Sequence, residues 1–274
     1  DGRVALITGA GRGIGRAIAL AYAREGARLA LAARTLGELE ETARQTEALG
    51  APTCIIPTDV TSQEQVDRLA AQALDRFSSI DILVNNAGIG GPVGRLQDND
   101  VSSWIQTVQV NLIGTYLCCR AVLPVMLRQD RGKIINISGG GGMFSWPYMS
   151  AYCSSKAAVG SVTEALAQEL AGSNVRVNAL LPGSIHTRMW EEMRDGAAAA
   201  GATDIYELGQ RVTSGGGASI EQAAELAVFM AGDGSGNLNG RLISSVLDDF
   251  PIPPAKVQEI MASEAYLLRR VEPG

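Results

Sequence analysis

Seven short apolar runs, at 3–8, 28–33, 53–57, 81–85, 133–138, 175–181 and 241–246, punctuate this chain. They are separated by longer stretches whose apolar residues recur every three to four positions, predicted as helices at 14–25, 36–49, 62–77, 101–128, 151–171 and 220–231. Runs of this length are too short for helices. Their near-continuous apolar character fits strands covered on both faces, which is the condition of a parallel sheet with helical crossovers. The pattern therefore predicts an α/β fold, a doubly wound parallel sheet with helices on both faces. Right-handed crossovers bring the carboxyl ends of the strands to one edge, where ligands bind.

At 274 residues the simplest division is one domain over 1–250, followed by an extension at 251–274 that reads as a helix through about Arg270. That extension is expected either to cover the pocket or to pack on a neighbouring subunit. The least regular stretch, 188–217, contains a run of alanines and the glycines 215–217, and its place after a strand's carboxyl end suits a mobile substrate lid. Asp1 leads almost directly into a strand, so further residues are expected to precede it.

Twenty-three Lys and Arg scattered through a chain of net charge −6 offer no broad basic surface, so nucleic acid is not expected as a partner. The reading finds no apolar run long enough to span a bilayer and no secretory leader, and so expects a soluble, cytoplasmic protein without a membrane partner. Cys54, Cys118, Cys119 and Cys153 show no C-x-x-C spacing and His186 is the single histidine, so no metal centre is expected. Mechanisms that depend on histidine are excluded unless His186 serves.

The first strand runs straight into Thr8-Gly9-Ala10-Gly11-Arg12-Gly13-Ile14-Gly15, and a helix follows at once. Glycine lets a backbone turn sharply and approach a pyrophosphate, and free N–H groups at a helix start favour the anion. The spacing G-x-G-x-x-G fails, because it would require glycine at Ile14 or Arg16; T-G-x-x-x-G-x-G fits, with glycines at 9, 13 and 15. Further along, Tyr152 and Lys156 are four apart on a predicted helix and share one face. A phenol near pKa ~10 is a poor acid or base at neutral pH, but a neighbouring ammonium favours phenolate and brings it toward neutrality.

With these residues the chain resembles the short-chain dehydrogenase/reductase family. The turn at 8–15 resembles its cofactor turn, Asn85-Asn86-Ala87-Gly88 its N-N-A-G motif, Tyr152 and Lys156 its Y-x-x-x-K pair, Asn111 the asparagine of its catalytic tetrad, and Pro182-Gly183 its turn beside the nicotinamide. The resemblance runs from about Arg3 to Asp249. It implies a Rossmann-type seven-stranded sheet of order 3-2-1-4-5-6-7, a nicotinamide cofactor, interconversion of a small-molecule alcohol and carbonyl, and a homodimer or homotetramer. Cofactor contacts are then expected from Gly9, Gly11, Arg12, Gly13, Ile14, Gly15, Asn86, Ala87, Gly88, Tyr152, Lys156, Pro182, Gly183, Ile185 and Thr187, with Asp59 and Val60 at the adenine. Tyr152 would exchange a proton with the substrate oxygen, Lys156 would hold the ribose, and Asn111 would support a water linked to the lysine.

The second strand ends Leu31-Ala32-Ala33-Arg34, with no acid to hold a ribose 2′-hydroxyl. Arg34 and Arg12 are expected to clamp a 2′-phosphate instead, which favours NADP(H) over NAD(H). The family's catalytic serine, thirteen residues before the tyrosine, is here Gly139. Ser138 precedes it, but adjacent strand residues face opposite sides. Three readings stay open: Ser138 shifts into the catalytic place, a backbone N–H or the hydroxyl of Ser145 or Tyr148 substitutes, or the enzyme is slow or inactive. Around the nicotinamide, residues 90–93, 143–148 and 188–193 suggest an aromatic-walled pocket; His186 is expected either to contact substrate or cofactor or, as loop histidines more commonly do, to face solvent. The leading reading is an NADP(H)-dependent oxidoreductase. Its rival is a cofactor-binding protein that no longer catalyses, a sensor or assembly component.

Overall fold

The computed structural model describes residues 2–268. Strands β1 (Val4–Thr8), β2 (Arg28–Ala33), β3 (Thr53–Pro57), β4 (Ile82–Asn85), β5 (Gly132–Ile137), β6 (Val175–Leu181) and β7 (Leu242–Ser244) form one parallel sheet in the order β3-β2-β1-β4-β5-β6-β7. Every residue of β1 is buried. Its alternate side chains feed different cores: Ala5 and Ile7 pack with Ile18, Leu226 and Ile243, whereas Val4 and Leu6 pack with Leu69, Met126 and Val177. That double burial is why the strands read as continuous apolar runs.

Helices α1 (Gly13–Arg24), α2 (Leu36–Ala48) and α9 (Ile220–Ala231) cover one face. On the other lie α3 (Gln63–Phe77), α4 (Val101–Val108), α5 (Gly114–Gln129) and α6 (Ser150–Glu169). A π-helical turn, Gln109–Ile113, joins α4 to α5 in one continuous helix. By length and composition this helix, Val101–Gln129, is apolar enough to cross a bilayer, which corrects the sequence reading. More than half of its apolar stretch is buried inside the fold, against the sheet face that holds Leu83 and Ile134.

Residues 188–217, read as irregular, are an ordered helical hairpin: α7 (Arg188–Ala200), α8 (Thr203–Arg211) and a π-helical turn, Val212–Gly216. Alanine is the best helix former, and Trp190, Met193 and Ala197 make a buried stripe at helical spacing that the small residues obscured. The extension is also corrected. Its helix, α10 (Pro254–Met261), is shorter than predicted, and the expected end near Arg270 lies outside the described residues. The Arg241 guanidinium donates to the carbonyls of Ile260, in the last turn of α10, and of Ser263 beyond it, and the Leu242 N–H donates to that of Tyr266. These contacts hold the tail in turns against its helical propensity. Ile252, Val257 and Ile260 join the core of the same chain, so these residues neither cover the pocket nor await a neighbour.

Candidate active site

The glycine turn is held from two sides. Thr8 Oγ1 accepts the N–H groups of Asn86 and Ala87 at 3.1 Å and donates to Val84 O at 3.3 Å. Asn86 Nδ2 donates back to the carbonyls of Thr8 and Gly9, at 3.0 and 3.1 Å. The asparagine motif after β4 thus buttresses the turn after β1. Thr42 from α2 and Arg16 from α1 both donate to the carbonyl of Gly11. Glycine is required at 9, where φ is +63° and a Cβ would lie 2.8 Å from Asn86 Nδ2, and at 15, where a Cβ would run into the Gly9 carbonyl. No side chain caps α1, and among the described residues the N–H groups of Gly13, Ile14 and Gly15 have no acceptor. Three free donors at the positive end of a helix dipole suit a pyrophosphate.

One cavity of about 500 Å³ follows the carboxyl edge of the sheet, from Arg34, Asp59 and Val60, past this turn, to Tyr152, Lys156 and Thr187. Of the residues predicted to catalyse or to contact the cofactor, only Gly15 and Asn111 lie off its wall; of those predicted around the nicotinamide, 188–192 line it, whereas 90–93, 143–148 and Met193 do not. At one end Arg34 is exposed and has no polar partner among the described residues. Arg12 is not free: its Nη1 lies 3.0 Å from Glu38 Oε1, a carboxylate on the cavity wall that the sequence reading missed. Asp59 Oδ1 accepts the Thr61 N–H and hydroxyl, which fixes the carboxylate beside Val60.

At the other end, α6, packed beside β5, carries the predicted pair Tyr152 and Lys156. The Tyr152 ring lies parallel to Trp146, centroids 6.1 Å apart, and a Cβ at Gly141 would touch its Cε1 at 2.7 Å. Its hydroxyl has no partner among the described residues. Burial pushes the phenol well above its ordinary pKa. Lys156 is buried, donates to the Ile137 carbonyl at 2.8 Å, and is pulled down to about 8 by desolvation. Here burial outweighs the predicted effect of the ammonium on the phenol.

Asn111 belongs to the π-helical turn, and its amide is committed to structure. Oδ1 accepts the Ile89 N–H at 2.9 Å, and Nδ2 donates to Ile89 O and Ser155 Oγ, both at 3.0 Å. It ties the segment after β4 to α6 and acts through position. Ser138 is placed differently from the shifted, catalytic role considered for it. Its N–H still pairs with Leu180 O, so the strand's alternation persists, and its buried hydroxyl donates to Lys156 O at 2.9 Å. Gly139 has φ +88°, and a Cβ there would lie 2.9 Å from the Tyr152 hydroxyl. Ser145 is exposed. His186 is half-exposed, lies on the cavity wall and is 3.0 Å from Glu191.

Over Tyr152 lies an apolar cluster built from the α7–α8 hairpin, in which Trp190 tilts against Trp146 at 5.9 Å. Met193, Met149 and Ile205 belong to its buried part.

The sequence matches the short chain dehydrogenase family over residues 3–198. It is 33% identical over 245 residues to 3-oxoacyl-(acyl-carrier-protein) reductase of Thermotoga maritima, covering 89% of this chain and 96% of that one. Among solved structures, NAD+-bound xylitol dehydrogenase is similar with a TM-score of 0.83 at 31% identity, over 89% of this chain and 97% of the other. A variant of actinorhodin polyketide ketoreductase with NADPH is similar with a TM-score of 0.82 at 30% identity, over 89% and 95%. Agreement of this extent, in sequence and in fold, makes the chain a member of the short-chain dehydrogenase/reductase family, oxidoreductases acting on CH–OH groups.

Proposed function

We propose that this protein is an NADP(H)-dependent oxidoreductase that interconverts a small-molecule alcohol and a carbonyl, with Tyr152 as the acid and base. One observation carries the reading: the free donors at the start of α1 and the buried Tyr152–Lys156 pair open on one cavity. A bound nicotinamide supplies or accepts the hydride. The chain's own residues do the rest. Gly9, Gly11, Gly13 and Ile14 offer backbone to the pyrophosphate, Asp59 and Val60 border the adenine end, and Ile185 and Thr187 border the other. Tyr152, kept protonated by burial, donates its proton to the substrate oxygen during reduction and recovers it during oxidation. Lys156 holds positive charge beside that exchange, while Asn111 and Ser138 fix the elements that carry the pair.

The choice of dinucleotide rests on Arg34, since Glu38 already offsets the charge of Arg12. One similar structure holds NAD+ and another NADPH, so fold alone does not decide between them. Arg34→Ala is expected to raise the Kd for NADPH about tenfold, the loss of one charge-assisted contact, and to leave NADH within twofold. Fluorescence titration measures both, and equal losses would refute the 2′-phosphate assignment.

A second expectation concerns pH. Burial depresses Lys156 to about 8, so it carries charge below that pH and loses it above. kcat/KM for reduction, which reports on the free enzyme, is expected to fall as pH rises through about 8. Lys156→Arg should move that limb out of range, and a limb that stays in place would assign it to another group. The same reading has the chain work as a homodimer or homotetramer, with exposed Val101, Ile105 and Tyr116 of the long helix as surface for it.

A further inference from the structure

Resting on that reading, we propose that the substrate is an uncharged, ring-bearing ketone or the matching alcohol, with the reacting oxygen as its principal polar group. Two features of the site have already removed polar partners. Position 139 carries no side chain, and the Ser138 hydroxyl is spent on Lys156 O. Beside Tyr152, the cavity is bounded by Gly139, Ile89, Met189 and Trp190. Behind these stand Trp146 and Met193, so flat and polarisable surface faces whatever approaches the phenol.

The wall does carry charged side chains, Arg188, Glu191 and Glu192, but they are already paired. Each charged side chain of α7 that could hold a carboxylate or phosphate is paired at the surface: Arg188 with Glu192 at 2.9 Å and Arg194 with Asp195 at 2.7 Å. Glu191 faces His186. Of the two phenols at the cluster's edge, Tyr206 accepts from Gln210, and neither it nor Tyr148 reaches the cavity wall. A polyol would lose water from several hydroxyls and regain a partner for few of them, at about tenfold in kcat/KM for each one stranded. A rigid ring loses nothing there and covers the tryptophan faces.

Purified full-length protein assayed for NADPH oxidation with cyclohexanone, 1-tetralone, xylulose and acetoacetyl-coenzyme A tests this. The ring ketones should exceed the other two at least a hundredfold in kcat/KM. Trp190→Ala should lower kcat/KM for 1-tetralone at least tenfold, mainly through KM, with NADPH binding unchanged; Trp190→Leu, which keeps the site filled, should lower it less while securing the fold. Turnover of xylulose or the thioester equal to that of the ring ketones overturns the substrate class and leaves the oxidoreductase reading intact, as would indifference of 1-tetralone turnover to both Trp190 variants. Tight NADPH binding with no oxidation by any of the four overturns the oxidoreductase reading and this inference with it.

Discussion

Tyr152→Phe is expected to lower kcat for carbonyl reduction by about 10²–10⁴-fold, the usual contribution of a positioned general acid. Phenylalanine keeps the ring that lies parallel to Trp146 and over Gly141, and the lost hydroxyl has no partner among the described residues, so the fold should not move. Because burial holds the phenol protonated across neutral pH, the loss should be uniform between about pH 6 and 8. Stopped-flow single turnover with saturating NADPH separates the chemical step from binding. A variant within threefold of the parent would show that another group supplies the proton.

Gly139→Ser is expected to reduce activity, although on sequence alone it reads as the repair of a missing hydroxyl. The backbone at 139 lies in the left-handed region, φ +88°, where an L side chain costs about 1–2 kcal/mol. The new Cβ would press on the Tyr152 hydroxyl from 2.9 Å, and the ring has little room to retreat, with Trp146 parallel to it and Gly141 against its edge. Either the tyrosine leaves its place or the turn does. A fall in kcat of at least tenfold, with a Tm lower by about 2–8 °C, is the expected outcome. A rise in kcat would mean that the turn relaxes and the serine serves. That result would also weaken the rival reading, in which the protein binds cofactor without catalysing.

These two expectations mark what could be read from the chain. The turn at 8–15, the asparagine motif and the Tyr152–Lys156 spacing were legible because each depends on local chemistry: a backbone that needs glycine, or two side chains on one helix face. All seven strands lie within two residues of their predicted bounds, since burial on both faces leaves a continuous apolar mark; β7 is the most shortened, three residues of a predicted six. Contacts between distant elements were not legible. Nothing near Arg12 announces Glu38, which reaches it from the next helix, and nothing in the motif shows Lys156 turned toward Ile137 O. The α7–α8 hairpin was hidden by its own composition, because alanine and glycine dilute an amphipathic pattern that only packing against Tyr152 and Trp146 reveals. The tail was misjudged for a related reason: Arg241 and Leu242 draw it away from the helix its sequence prefers.

That tail has a consequence for how the protein behaves in a crowded solution. β7 is the outer strand of the sheet, and an outer strand offers N–H groups to any extended chain that drifts against it. On this one the outward donors alternate, at Leu242 and Ser244, and both are occupied, the first by the Tyr266 carbonyl and the second by the Asp248 carboxylate at 2.7 Å. The segment after β7 therefore closes the outer edge against strand-by-strand pairing, with residues that lie off the wall of the cavity.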